Sequence, residues 1–183
     1  MSFNRDELIG FLSELDRQLK RQTELVVIGG ASLTLAYNFT NTTIDMDLLN
    51  KITSELYEAI ERAKIKTQLD VKVGTTRIYA EILRMQERLT PLGGVAFKNL
   101  TILVPEKHDL ALMKCARSEA RDIEDIKGLH RADPLDSQTL LQRFKIELLP
   151  LNSGDDELLK SKFLDMIETL FGENVADDFE RRT

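Results

Sequence analysis

The chain has 183 residues, 42% of them hydrophobic and 31% charged, with a formal net charge of −6. That length suits one domain, or one domain with a small appendage, and lets roughly 70% of the unfolded surface be buried without disulfide staples. A single cysteine, Cys115, and two histidines exclude a disulfide scaffold and a zinc module and point to a reducing cytoplasm. No run approaches the ~18 apolar residues of a membrane span, and the opening MSFNRDELIG lacks the basic-then-apolar order of a signal peptide. The acidic total argues against a generic nucleic-acid coat. It is an average, however: residues 1–61 hold 10 acids and 5 bases, residues 62–131 hold 9 and 14, and residues 132–183 hold 12 and 6.

In chain order, residues 4–20 predict an amphipathic helix, with Asn4 as N-cap, Glu7 completing a capping box, and Leu8, Phe11, Leu12, Leu15 and Leu19 at helical spacing. The run Glu24–Ile28 is apolar and β-branched and ends in Gly29-Gly30, as a buried strand ends, and ASLTLAY (31–37) suits a short helix directly after it. Residues 38–41 are polar turn chemistry. TTIDMDLL (42–49) alternates like a strand, with Asp45 and Asp47 on one face and Ile44, Met46 and Leu48 on the other. Thr53–Lys64 predicts a helix with Leu56, Ile60 and Ala63 inward. Strands are expected at 69–73, 78–83 and 99–104, with a short turn at 85–89 and a stop at Pro105. Helices follow from Glu106, from about Glu119 to Leu129, from an Asp136 cap to Leu148, and from Asp155 to Phe171, after which the polar tail 172–183 is expected to fray.

The chemistry concentrates in Gly29-Gly30-Ala31-Ser32 followed by Asp45-Met46-Asp47. Two carboxylates at i and i+2 of a strand share a face, about 7 Å apart at the backbone. Such a pair in a half-buried setting calls for a cation, and Mg²⁺ is the ion that bridges carboxylates to substrate phosphates. A glycine turn opening a helix offers backbone N–H groups and the positive helix end to a phosphate, with Ser32 a further donor. An apolar strand, two glycines, a short helix and then a bracketed D-x-D together describe a nucleoside triphosphate site.

This order resembles the nucleotidyltransferase superfamily, whose signature is a strand ending in Gly-Gly or Gly-Ser and a later strand carrying Asp-x-Asp or Asp-x-Glu. It is more closely similar to the uncharacterised nucleotidyltransferase-like and AbiEii-type toxin branches, where GG-A-x-L precedes R-x-T-x-D-x-D. Here Asn41 stands where arginine is usual. Residues 105–114 (PEKHDLALMK) and the following Arg121-Asp122-Ile-Glu-Asp125 look like the second block of that branch, in which a lysine and an R-D-x-x-D segment face the active site.

The resemblance implies an α/β fold: a small nucleotidyltransferase-like mixed β-sheet with flanking helices (residues 1–131) and a C-terminal helical extension or cap with a frayed tail (132–183). It implies Mg²⁺-dependent transfer of an NMP from an NTP to an acceptor hydroxyl or phosphate. Asp45 and Asp47 would hold the metal, Gly29, Gly30 and Ser32 the phosphates, and Lys114 would offset their charge with Asp122 and Asp125 in support; these two, three apart on one helix face, either accept from Lys114 or Arg121 or are simply solvated. The third acid that this chemistry asks for is open among Asp70, Glu81 and Glu87, the last in a Glu87-Arg88-Leu89 block whose arginine could assist. Relatives in this branch act as toxins of toxin–antitoxin pairs, some on tRNA ends, so tRNA and a cognate antitoxin are implied partners. The alternative is a non-catalytic member of the fold that binds a nucleotide or a protein.

Overall fold

The structure is a computed structural model describing residues 2–37, 43–75 and 80–182. The contacts divide it into two units, residues 1–77 with 89–105, and residues 78–88 with 106–183.

The first unit is a five-stranded mixed sheet with helices. Helix α1 (Arg5–Gln18) starts at the predicted capping box, Asn4 Oδ1 accepting from Glu7 N–H and Glu7 accepting from Asn4 N–H. Strand β1 (Thr23–Ile28) runs straight into α2 (Gly29–Ala36), so the glycines are the first turn of the helix rather than a loop before it. Strand β2 (Asp45–Leu48), helix α3 (Ser54–Thr67, capped by Thr53), β3 (Lys72–Thr75), β4 (Thr90–Pro91) and β5 (Leu100–Val104) complete the unit. The sheet order is β3-β2-β1-β5-β4. β1 is parallel to β5 and β2 to β3, while the β1–β2 and β4–β5 pairs are antiparallel.

One sheet face and the apolar stripes of α1 and α3 make the core: Leu8, Phe11, Leu12 and Leu15 from α1, Leu56, Ile60 and Ala63 from α3, and Leu25, Val27, Met46, Leu48, Ile102 and Val104 from the strands. Burying side chains of this size stabilises by about 1.5–3 kcal/mol each. The D-x-D alternation holds, because Met46 and Leu48 enter this core and Asp45 and Asp47 take the other face half-exposed. Ile44, expected to join Met46, is instead exposed. The reason is that the strand begins only at Asp45, and the preceding Thr43 is pinned to Phe3 by backbone bonds in both directions (2.6 and 3.0 Å).

Three further differences concern strands. The strand expected at 69–73 lies at 72–75, with only Val71 of the earlier residues buried. β4, two residues long with a proline, carries no period to read. Of the strand expected at 78–83, residues 80–83 are not strand, while 78 and 79 lie outside the described residues, as does the turn 38–41.

The second unit is helical: α4 (Lys107–Arg117), α5 (Asp122–Ala132), α6 (Ser137–Arg143, continued by a π turn to Leu148), α7 (Asp156–Phe171) and α8 (Glu173–Glu180). The predicted cap Asp136 accepts a first-turn N–H group, and Asp155, expected as the first residue of the last long helix, is instead the N-cap of α7. The tail does not fray as expected. Its Phe179 is fully buried and stacks on Phe163 (6.5 Å), which in turn stacks on Phe144 (4.0 Å), so two aromatic contacts outweigh the polar composition. No helix among the described residues is long and apolar enough to cross a membrane.

Candidate functional site

In the first unit, the glycine turn and the D-x-D strand meet through sheet register. β1 and β2 pair antiparallel with Ile28 opposite Asp47, so the chain leaves β1 into the glycines beside the acidic strand. Gly29 has φ +69°, the left-handed region where a side chain costs about 1–2 kcal/mol. That conformation turns the extended Ile28 directly into helix. Among the described residues no N-cap side chain closes the first turn of α2, whose N–H groups point out of the helix start.

Gly30 lies against Thr43: a Cβ added there would meet Thr43 Oγ1 at 3.1 Å. The same hydroxyl donates to Asp45 O (2.9 Å) and reaches Asp45 Oδ1 (3.4 Å). Thr43 thus ties the glycine turn to the first carboxylate. Sequence reasoning missed it, although its spacing two residues before Asp45 was there to read. Ser32, expected to meet phosphate, is fully buried and donates its hydroxyl to Gly29 O (2.8 Å), so it braces the turn. Arg5 Nε donates to Leu35 O (2.9 Å) at the other end of α2 and Tyr37 Oη donates to Pro105 O (3.0 Å), fixing the helix in place.

β3 flanks the acidic strand on its other side. Asp45 is opposite Lys72 and Asp47 opposite Gly74. Val73 packs on the core, so Lys72 and Gly74 share the face of the two carboxylates. Asp70, a candidate third acid, is 89% exposed and only loosely paired with Lys64 (3.9 Å). Asn41 lies outside the described residues.

The donor set fits Mg²⁺. Residues 1–105 contain no histidine or cysteine, so the face offers hard oxygen ligands alone. Among the described residues no group of three His, Cys, Asp or Glu is assembled to hold a metal. An ion here would complete its shell with water and substrate phosphate, as Mg²⁺ commonly does.

The second unit gathers the other predicted residues into ion-pair networks. Lys114, expected to balance triphosphate charge, is 1% exposed and donates to Asp122 Oδ1 (3.1 Å) and Asp125 Oδ2 (2.7 Å). Asp122 also accepts from Arg117 (2.6 and 2.9 Å) and from Glu119 N–H (3.0 Å). Burial pushes its carboxyl up, but Arg117, Lys114 and that N–H outweigh it and hold it below the usual range. Lys114, Asp122 and Asp125 are therefore one internal cluster with Arg117, while Arg121 of the R-D-x-x-D segment is exposed.

Glu87 points away from its neighbour Arg88: it is 60% exposed, paired with Arg84, whose hydrogen bond and charge hold its carboxyl low. Glu81 is exposed. Arg88 instead makes a bidentate pair with the fully buried Asp109 (2.9 and 3.0 Å) and reaches Glu147 (2.5 Å). Asp109 raises the guanidinium's pKa most, against burial. Arg143 adds a second cation to Asp109 (2.9 Å). Asp109 and Arg143 carried no signal in the sequence, since their partners are 21 and 34 residues away.

A mixed sheet whose first strand opens through Gly-Gly into a helix, with a D-x-D strand alongside, is a nucleotidyltransferase-like fold. The chain belongs to a family described as "Nucleotidyltransferase of unknown function (DUF6036)", whose model matches residues 6–169. No curated protein and no solved structure matches it.

Proposed function

We propose that the protein is a Mg²⁺-dependent nucleotidyltransferase moving an NMP from a nucleoside triphosphate to an acceptor hydroxyl or phosphate, with pyrophosphate leaving. The observation that carries this reading is the juxtaposition in one unit: two half-exposed carboxylates on β2, register-paired with the strand that ends in the uncapped glycine turn of α2. Asp45 and Asp47 would hold the ion, which when bound neutralises charge on the transferring phosphoryl group. The α2 first-turn N–H groups orient the phosphates, and Gly29 and Gly30 let them approach the backbone. Ser32 and Thr43 keep the turn and Asp45 in register. The chain's contribution is mainly positioning and electrostatic preorganisation.

The resemblance adds finer expectations: a cytoplasmic toxin with a cognate antitoxin, and RNA such as tRNA as acceptor, for which the basic run 62–131 is suited. Incubating the protein with labelled NTPs and total RNA or cell extract tests the reading. Labelled product from the wild type and none from Asp45→Ala with Asp47→Ala is expected, and equal labelling by both would overturn it.

One observation favours a second reading, binding without turnover: no third acid joins the pair in a metal-holding group among the described residues. Thermal stabilisation by Mg·NTP without pyrophosphate release would select it.

A further inference from the structure

We infer that β3 forms the acceptor side of the site and that the acceptor is a phosphate monoester rather than a hydroxyl. This rests on the nucleotidyltransferase reading above and narrows it.

β2 has two neighbours. On the β1 side stands the glycine turn, which takes the nucleotide's phosphates. On the β3 side the residues that flank the carboxylates, about 4.8 Å away at the backbone, are Lys72 beside Asp45 and Gly74 beside Asp47. Lys72 is exposed, and no hydrogen bond or ion pair ties it to another described residue. A Cβ on Gly74 would meet nothing within 4 Å, so the space over Gly74 is open. A free cation next to an open patch, on the face of a metal-binding pair, attracts an oxyanion.

The same positions show why a hydroxyl suits this unit less well. A hydroxyl must lose its proton to attack, which calls for a carboxylate close to the metal pair. β3 offers lysine and glycine at both flanking places, Asp70 points to solvent, and the sequence has no Asp or Glu at 38–42 or 76–79. A phosphate monoester, with its second pKa near 6, is already ionised at neutral pH and needs no base.

The step balances without one. An acceptor phosphate oxygen forms a bond to the α-phosphorus of the NTP. The bond from that phosphorus to the α–β bridging oxygen breaks, and pyrophosphate leaves with the electron pair. The product is a phosphoanhydride joining the NMP to the acceptor, and no proton is transferred from the nucleophile.

The test labels a cell extract with α-³²P NTPs before and after treatment of the extract with phosphatase, which is then removed. Phosphatase pretreatment is expected to abolish labelling, and the label formed without pretreatment should resist phosphatase and be released as NMP by a phosphoanhydride-cleaving pyrophosphatase. Lys72→Ala should lower acceptor kcat/KM by about 10–100-fold, with Lys72→Arg restoring part of it. Binding of Mg·NTP, read as thermal stabilisation by a non-hydrolysable analogue, should be unchanged in Lys72→Ala.

Labelling that survives pretreatment means a hydroxyl acceptor and overturns the inference while leaving nucleotidyl transfer standing. Loss of Mg·NTP stabilisation in Lys72→Ala assigns the lysine to the donor and overturns it too. No labelling by the wild type with any NTP removes the nucleotidyltransferase reading and this one together.

Discussion

Replacing Lys114 by methionine separates a structural lysine from a substrate-facing one. Methionine keeps most of the aliphatic stem, so the change removes charge and little volume. The ammonium lies between Asp122 and Asp125 at 3.1 and 2.7 Å and is 1% exposed. Removing one partner of a buried ion pair costs about 3–5 kcal/mol, because the other charge is left uncompensated. Asp122 keeps Arg117 and the Glu119 N–H, so the orphan is Asp125 and the lower end, about 3 kcal/mol, applies. At about 2–4 °C per kcal/mol for a chain this size, the melting temperature should fall by about 6–12 °C. Lys114→Met with Asp125→Leu, which removes both charges, should recover at least half of the loss, since matched removal of both partners is nearly neutral. Circular dichroism melts at neutral pH read all three. A Lys114→Met protein that melts with the wild type yet loses NTP-dependent activity would refute the reasoning, and would return the lysine to the triphosphate.

Gly30→Ala should cost about 1–3 kcal/mol through its 3.1 Å contact with Thr43 Oγ1 and should weaken Mg·NTP stabilisation, because Thr43 carries Asp45. Gly10→Ala, mid-helix with nothing within 4 Å, should instead raise stability by about 0.5–1 kcal/mol, and chemical denaturation compares the two. Phe179→Ala should cost about 3–5 kcal/mol and be as damaging as deleting 172–183; a neutral deletion in a melting assay would mean the tail does not pack. Glu106 sits in a burial that raises its pKa, but His108 and Arg143 outweigh it and bring it to about 2. A carboxyl depressed in the folded state adds stability above its unfolded value near 4.5 and loses it as pH falls to 2. Glu106→Gln should therefore be less stable than wild type at pH 6, with the gap closing toward pH 2 in denaturant melts.

What could be read in the sequence was local. The capping box at Asn4, the cap at Asp136, the apolar run into Gly29-Gly30 and the alternation of Asp45 and Asp47 with Met46 and Leu48 each express a period or a cap within a few residues, and these form as read. What could not be read depends on partners far along the chain. That Asp122 and Asp125 could accept from Lys114 followed from their shared helix face, but the burial of the cluster did not, and Arg88 is unremarkable until Asp109 and Glu147 enclose it. The same holds for the segment 78–88, read as a strand and turn but grouped by its contacts with the helices, where Leu83 N–H donates to Glu147 O. Phe179, alone in a polar tail, gains its role only from Phe163 on the preceding helix. Of the candidate site, the glycines and aspartates could be picked out from the sequence. Lys72 and Gly74, proposed for its acceptor side, could not, because strand register, not spacing in the sequence, brings them beside the acids.

The most direct test of the central claim is titration calorimetry of each NTP into the wild type and into Asp45→Asn with Asp47→Asn, in Mg²⁺ and in EDTA. The wild type is expected to bind an NTP in Mg²⁺ and lose it in EDTA, and the folded double variant to bind at least about 100-fold more weakly. Equal binding by both proteins, or binding indifferent to Mg²⁺, would contradict that claim.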